Sequence, residues 1–405
     1  MSRFKLIFPT NEELAAATAT EAPGVHDKVV NEKRRSLAVE LDDPAGRFET
    51  LGAATERASP LSLYADRFGA TVVEDYRYEL DSASELMAGA SQEAAEGSLD
   101  DVIALIGADR AHAQARGAGV TLCIVDTGVD GTHPEFPPPR RAGGWAPINE
   151  DPWTDWQGHG TMWMALAGAS RGPDARCIGV APEAALVSCR TSFYDSEVTA
   201  IYDMLAARAR AGEKIVASNS FGRRTGTQPP EPGPGSDFDE ALDEAIQAGV
   251  IVAFSAGNNH ELAGGRADAC RPNSVWLHKS RADLLAVATC DLEQRMWFYS
   301  SRGPGQYHGR PGMNDKPDVT APTPRNGRIL YGAGERVLAN GWGTSGACPQ
   351  VAGLAALIWS MRPDLPSTQV IQLIKDTARD IGFGPHCQGK GMIDCSEAIG
   401  RLSAV

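Results

Sequence analysis

Five nearly continuous apolar runs dominate the chain: VTLCIVDTG (120–128), AALVSC (184–189), KIVASNS (214–220), GVIVAFSAG (249–257) and LLAVATC (284–290). Segments of helical pattern at 161–169, 197–211 and 236–248 lie between several of them. Strands that are apolar on both faces must be covered on both sides, and alternating helices supply the cover. The pattern indicates an α/β fold, a mainly parallel sheet with helices on each side.

The first hundred residues follow a different pattern. FKLIF (4–8), Leu37–Leu41 and Ala70–Val73 are strand candidates, with helical patterns at Phe48–Arg57 and Leu61–Phe68. They predict a small α+β domain over 1–80. The stretch 81–97, rich in Ala, Ser, Glu and Gly, reads as a linker. The large domain takes 98–405, starting at a helix that Ser98 caps and Asp100 and Asp101 favour in its first turn.

Charge and length exclude several functions. The net charge of the 405 residues is −14, and residues 1–110 alone hold 21 acidic against 11 basic side chains. No basic face is available for nucleic acid. No apolar run reaches the ~18 residues of a membrane span, and the apolar stretch before Pro9 is too short for a secretory signal. The expected location is therefore the cytoplasm, with the eight cysteines reduced. Cys387 and Cys395, the closest pair in sequence, are the alternative, a loop-closing disulfide.

Active sites of open parallel sheets gather at the carboxyl ends of strands. Asp126 directly follows a buried run, where a carboxylate is costly unless partnered. His159 stands between Gly158 and Gly160 at a helix start, and Ser345 opens the apolar helix through Leu354–Trp359. Ser, His and Asp together can make a nucleophile, a general base and an orienting carboxylate. Asn258, after a further strand, offers an amide to an oxyanion. Taken singly, Asp126 reads as a turn cap, His159 as a structural histidine, Ser345 as a helix N-cap and Asn258 as a turn residue. Those separate readings leave unexplained why all four fall at strand ends or helix starts of one sheet.

The motifs DTGVDGTHPEF (126–136), GHGT (158–161), SNSFG (218–222), SAGNN (255–259), SSRGP (300–304), KPDVTAP (316–322) and GTSGACPQVAG (343–353) resemble those of subtilisin-like serine peptidases, the subtilase family. The order Asp, His, Ser is also the subtilisin order. The resemblance spans residues ~99–400. It implies the three-layer α/β/α subtilisin-like fold and peptide-bond hydrolysis through an acyl-enzyme. It also implies a triad of Asp126, His159 and Ser345, with Asn258 and the backbone N–H of Ser345 as the oxyanion hole. Ser220, Phe221 and Gly222 would pair with extended substrate by β-augmentation, and Ser255, Ala256 and Gly257 would border the pocket for the residue preceding the cleaved bond. The amino-terminal domain resembles the family's inhibitory propeptide, with ATVVEDYRYEL as its last strand. Self-cleavage then falls within about 81–115. The implied partners are a peptide or protein substrate and the chain's own N-terminal domain.

No cofactor is required by this chemistry. Glu135 occupies a position where relatives often bind structural calcium, but the loop 168–177 lacks the Asn-rich run that completes such a site, so calcium is not assigned. Two other readings stay open: a peptide transferase or macrocyclase using the same triad, and a catalytically silent peptide-binding protein. An α/β-hydrolase esterase is disfavoured, because Ala347 stands where the nucleophile elbow needs glycine. Two departures from the family pattern stand beside the site. Met162-Trp163-Met164 follows GHGT, and Gly346, which costs roughly 1 kcal/mol of helix propensity against alanine, follows Ser345. Cys348, one turn on, reads as a buried packing residue.

Overall fold

The computed structural model describes residues 3–22, 24–41, 60–81, 95–170, 177–222, 235–266, 269–271, 273–307, 310–311 and 314–403. Strands β1 (Arg3–Ile7), β2 (Val25–Asn31), β3 (Ser36–Leu41) and β4 (Thr71–Glu74) form an antiparallel sheet in the order β2-β3-β1-β4. Helices Asn11–Thr18 and Pro60–Arg67 accompany this sheet. Leu14, Ala17, Leu61 and Tyr64 pack with Leu6, Leu37 and Val39 in a core of its own. β2 went unread in the sequence because VHDKVVN carries four polar residues among its seven. The expected helix Phe48–Arg57 lies outside the described residues.

After β4 the chain leaves this sheet. β5 (Glu79–Leu80) and β6 (Gly97–Ser98) pair elsewhere, and Ser98 caps the helix Leu99–Leu105 in a capping box with Asp101. The central sheet then assembles from β7 (Thr121–Asp126), β8 (Arg141–Trp145), β9 (Ala185–Arg190) and β10 (Ile215–Asn219). After the two-residue β11 (Phe221–Gly222) it gains β12 (Ile251–Ser255) and β13 (Leu285–Cys290). Beyond the short pair β14 (Gln306–Tyr307) and β15 (Arg310–Pro311), β16 (Val319–Pro322) completes it; β17 (Gly327–Tyr331) and β18 (Gly334–Leu338) form a hairpin.

Seven strands run in the order β16-β13-β12-β10-β7-β9-β8, every neighbouring pair parallel. Period-two alternation sends Leu122 and Ile124 into one core with helices His159–Gly168 and Gly343–Met361. Cys123 and Val125 enter the opposite core with Val198, Ile201 and Leu242 of helices Asp195–Arg210 and Asp237–Gln247. This is the three-layer α/β/α arrangement. β8 escaped notice because its glycines break the apolar run, and β16 because it is only four residues long.

The small sheet lies against helices Asp195–Arg210 and Asp237–Gln247. Arg3 Nη1 donates to Glu197 at 2.6 Å, and Lys5 Nζ reaches Asp237 at 2.7 Å and Asp195 at 3.1 Å. Arg34 bridges to Asp203 at 3.1 Å and Glu240 at 2.7 Å. The acidic excess of residues 1–110 therefore says nothing about this contact, in which the small unit presents cations to carboxylates of the large one.

The cysteines correct the sequence reading. Cys270 is bonded to Cys387, and Cys395 is a buried free thiol, so neither a fully reduced set nor a 387–395 pair occurs. The two partners stand 117 residues apart in sequence, a separation that gives no local signal. Such bridges persist in oxidising compartments. Among the described residues no helix is long and apolar enough to cross a membrane.

Candidate active site

Asp126 is the last residue of β7 and His159 the first of its helix. The loop between them is tied by Asp155, whose carboxylate accepts from the backbone N–H of Gly158 at 2.7 Å and of Thr161 at 2.9 Å, and from Thr127 Oγ1 at 2.7 Å. Thr127 Oγ1 in turn accepts from the N–H of Gly160 at 2.9 Å. This network lays the imidazole beside the carboxylate: His159 Nδ1 lies 2.7 Å from Asp126 Oδ1. Both side chains are buried.

Against the face of the imidazole stands Trp163, one turn along the same helix. Its Nε1 lies 2.9 Å from both His159 Nδ1 and Nε2, with the rings perpendicular. Among the described residues no hydrogen bond joins His159 to Ser345. The Ser345 hydroxyl donates instead to the backbone carbonyl of Asp81, at 3.4 Å.

That same carbonyl accepts from Asn258 Nδ2. The amide is aimed by its oxygen, which accepts from the Thr344 N–H and hydroxyl, both at 3.0 Å. The backbone N–H of Ser345, expected to share this role, makes no hydrogen bond to the Asp81 oxygen. Thr344 had no sequence signal of its own beyond adjacency to Ser345.

Asp81 directly follows a strand lying in the cleft. β5 pairs antiparallel with β11, Leu80 opposite Phe221 and Glu79 opposite Gly222. The Asp81 N–H donates to the Ser220 carbonyl at 2.9 Å, and the Tyr78 N–H to Phe193 at 2.8 Å. Tyr78 is buried against Phe221 and Phe238, with ring centroids 5.6 and 5.7 Å away. Ser220, Phe221 and Gly222 thus all meet residues 78–81. Ser255 does so by its hydroxyl, which donates to Asp81 Oδ2. Ala256 instead packs behind with Val275 and Ala286, and the Gly257 N–H holds Thr344 Oγ1 at 3.1 Å. ATVVEDYRYEL is accordingly split: only Thr71–Glu74 belongs to the small sheet, and the chain enters the cleft before residue 81, ahead of the expected linker boundary.

The two departures from the family pattern fit each other. A Cβ on Gly346 would lie 2.5 Å from the Cβ of Trp342 and 3.1 Å from Cζ3 of Trp163. The glycine is the space that Trp163 and Trp342 occupy. Cys348 is fully buried, its thiol pushed up to about 12 by burial, and it accepts from Ser218 Oγ at 3.4 Å. Glu135 is buried beside His133, with Oε2 and Nδ1 3.5 Å apart. Among the described residues no group of three or more His, Cys, Asp or Glu side chains is gathered to hold a metal.

A parallel sheet with a histidine–carboxylate pair, a serine and an amide at strand ends and helix starts has the layout of a serine hydrolase. Residues 117–391 match the model of the subtilase family, peptidase S8; the chain belongs to that family and is a serine peptidase. Subtilisin DY of Bacillus licheniformis is 27% identical over 300 residues, covering 73% of this chain and 97% of its own. Subtilisin E of Bacillus subtilis (strain 168) is likewise 27% identical over 300 residues, 73% of this chain and 70% of the relative. In fold the chain is similar to MycP1 with its N-terminal propeptide removed, at a TM-score of 0.56 and 24% identity, over 74% of this chain and 97% of the other. The MycP3 protease from the type VII (ESX-3) secretion system gives 0.55 and 23%, over 76% and 90%.

Proposed function

We propose that this chain is a serine endopeptidase made as a precursor and held inactive by its own amino-terminal region. Ser345 is the nucleophile, His159 the general base, Asp126 the group that orients it and Asn258 the oxyanion donor. In acylation Ser345 Oγ bonds to the carbonyl carbon while its proton passes to His159. The C–N bond then breaks, and the proton leaves with the amine. Water completes the cycle, giving its hydroxyl to the acyl carbon and returning a proton to Ser345.

The observation carrying this reading is the Asp81 carbonyl, held between the Asn258 amide and the Ser345 hydroxyl while residues 79–80 pair with the cleft edge. A substrate carbonyl needs those two neighbours, and a segment occupying them excludes other peptides. The missing His159–Ser345 hydrogen bond is compatible with this, because catalytic hydrogen bonds often tighten only when reactive substrate is bound. A peptide or protein is the substrate class.

The test is self-processing. Full-length wild type should lose its amino-terminal unit and label stoichiometrically at Ser345 with a fluorophosphonate, and Ser345→Ala should do neither. Identical trimming of both chains would refute self-processing, and absence of labelling after the first 81 residues are removed would refute the peptidase assignment.

A further inference from the structure

We propose that the pocket under the cleft selects an acidic residue, aspartate above all, before the cleaved bond, that Lys279 is the specificity-determining residue, and that the chain's own Asp81–Ser82 bond is its first substrate. The inference rests on the peptidase reading above and supplies its substrate class.

Lys279 lies in the turn Leu277–Ser280 and is 3% exposed. Its ammonium donates to Asp81 Oδ2, the oxygen that also accepts from Ser255 Oγ. Among the described residues it has no other hydrogen-bond acceptor or ion-pair partner. A lone ammonium buried this deeply is costly, and burial accordingly holds the Lys279 pKa below the usual lysine range, with Asp81 opposing. The neighbouring Cys348 thiol, kept neutral by burial, supplies no countercharge. The countercharge arrives with the peptide.

The pocket is shaped around this pair. A Cβ on Gly222 would lie 2.7 Å from both Cε and Nζ of Lys279 and 3.3 Å from Asp81 Oδ1. A side chain there would crowd the end of the lysine under the paired strand. The residue that meets Lys279 is also the one whose carbonyl faces Asn258 and Ser345. Side chain and scissile carbonyl are therefore read together, and the bond presented to the nucleophile is the one after Asp81. Asparagine in that place would leave the ammonium without a countercharge, leucine would leave it without any acceptor, and lysine would add a second like charge.

The test uses the full chain after maturation and the peptides Tyr-Glu-Leu-Xaa-Ser-Ala with Xaa as Asp, Asn, Leu or Lys. Wild type is expected to cut the Asp peptide at least ~10²-fold faster in kcat/KM than the Asn or Leu peptide, as sites built around a buried polar partner do. N-terminal sequencing should place the new terminus at Ser82. In the unprocessed chain Asp81→Leu should slow self-cleavage, and adding Lys279→Met should restore it; this pair keeps the inference testable even if Lys279→Met alone folds poorly. Equal or faster cutting of the Leu peptide, with Ser345 still labelled by fluorophosphonate, overturns the pocket assignment alone. No cutting of any peptide together with no labelling overturns the peptidase reading itself.

Discussion

The indole nitrogen of Trp163 lies 2.9 Å from both ring nitrogens of His159, with the two rings at 90°. If His159 Nδ1 donates to Asp126, as their 2.7 Å separation indicates, Nε2 is the nitrogen left to accept. The indole N–H, set over the ring face, holds the imidazole in an orientation in which Nε2 makes no hydrogen bond to Ser345. Trp163→Phe removes a neutral hydrogen bond worth about 1 kcal/mol. Labelling of Ser345 by a fluorophosphonate should accelerate by roughly fivefold for that energy. An unchanged or slower rate in a variant that keeps its Tm would show that the indole does not hold the imidazole away from Ser345.

Gly346 and Trp163 make a second, structural prediction. Alanine at 346 should gain about 1 kcal/mol of helix propensity in the abstract. Here its Cβ would press on Trp342 at 2.5 Å. Overpacking of this kind typically costs about 1–3 kcal/mol, so Gly346→Ala should lower Tm. A rise in Tm would mean that the helix start yields more easily than its packing indicates.

The docked amino-terminal unit should carry a pH signature. Asp75 is buried beside Arg3, with Nε 3.1 Å away, and accepts from the Ser196 N–H at 3.0 Å and from its hydroxyl at 2.6 Å. Burial pushes its pKa up to about 6 against the opposing pull of Arg3 and Ser196. Between about pH 4 and 6 the folded chain binds the proton that the unfolded chain has lost, so stability falls as pH rises through that window. The full difference is on the order of 3 kcal/mol above it. Asp195, raised by burial in the same way, adds in the same direction. In the Ser345→Ala background, Asp75→Asn should flatten part of the decline in Tm between pH 4.5 and 7. Parallel curves for the two proteins would remove Asp75 from the account.

The Cys270–Cys387 bond closes 117 residues of chain. Denatured, unreduced protein should titrate six thiols, matching the free cysteines 123, 177, 189, 290, 348 and 395. Reduction, or Cys270→Ser, should lower stability by up to about 4–5 kcal/mol on loop-entropy grounds. Eight titratable thiols would eliminate the bridge.

The parallel core was legible in the sequence because its strands are buried on both faces and read as nearly continuous apolar runs, as at 122–125 and 251–254. Asp126, His159, Asn258 and Ser345 stood out as candidates because each sits in a compact motif at or near an element end, where local sequence sets local geometry. Strand Arg141–Trp145, which has no apolar run, and the bridge from residue 270 to 387 left no such trace.

What tertiary structure alone decided is which distant groups meet. Lys279 is an unremarked lysine in SVWLHKSRADLL, and Asp81 one acid among many in the first hundred residues. Their ion pair spans 198 positions, and its meaning comes from burial: in water the two charges would be worth little to each other, whereas enclosed under the cleft each requires the other. Periodicity and motif determine the sheet and the reactive groups, because those depend on near neighbours. The cleft's occupant, and the residue type it accepts, depend on contacts made only once the chain has closed on itself.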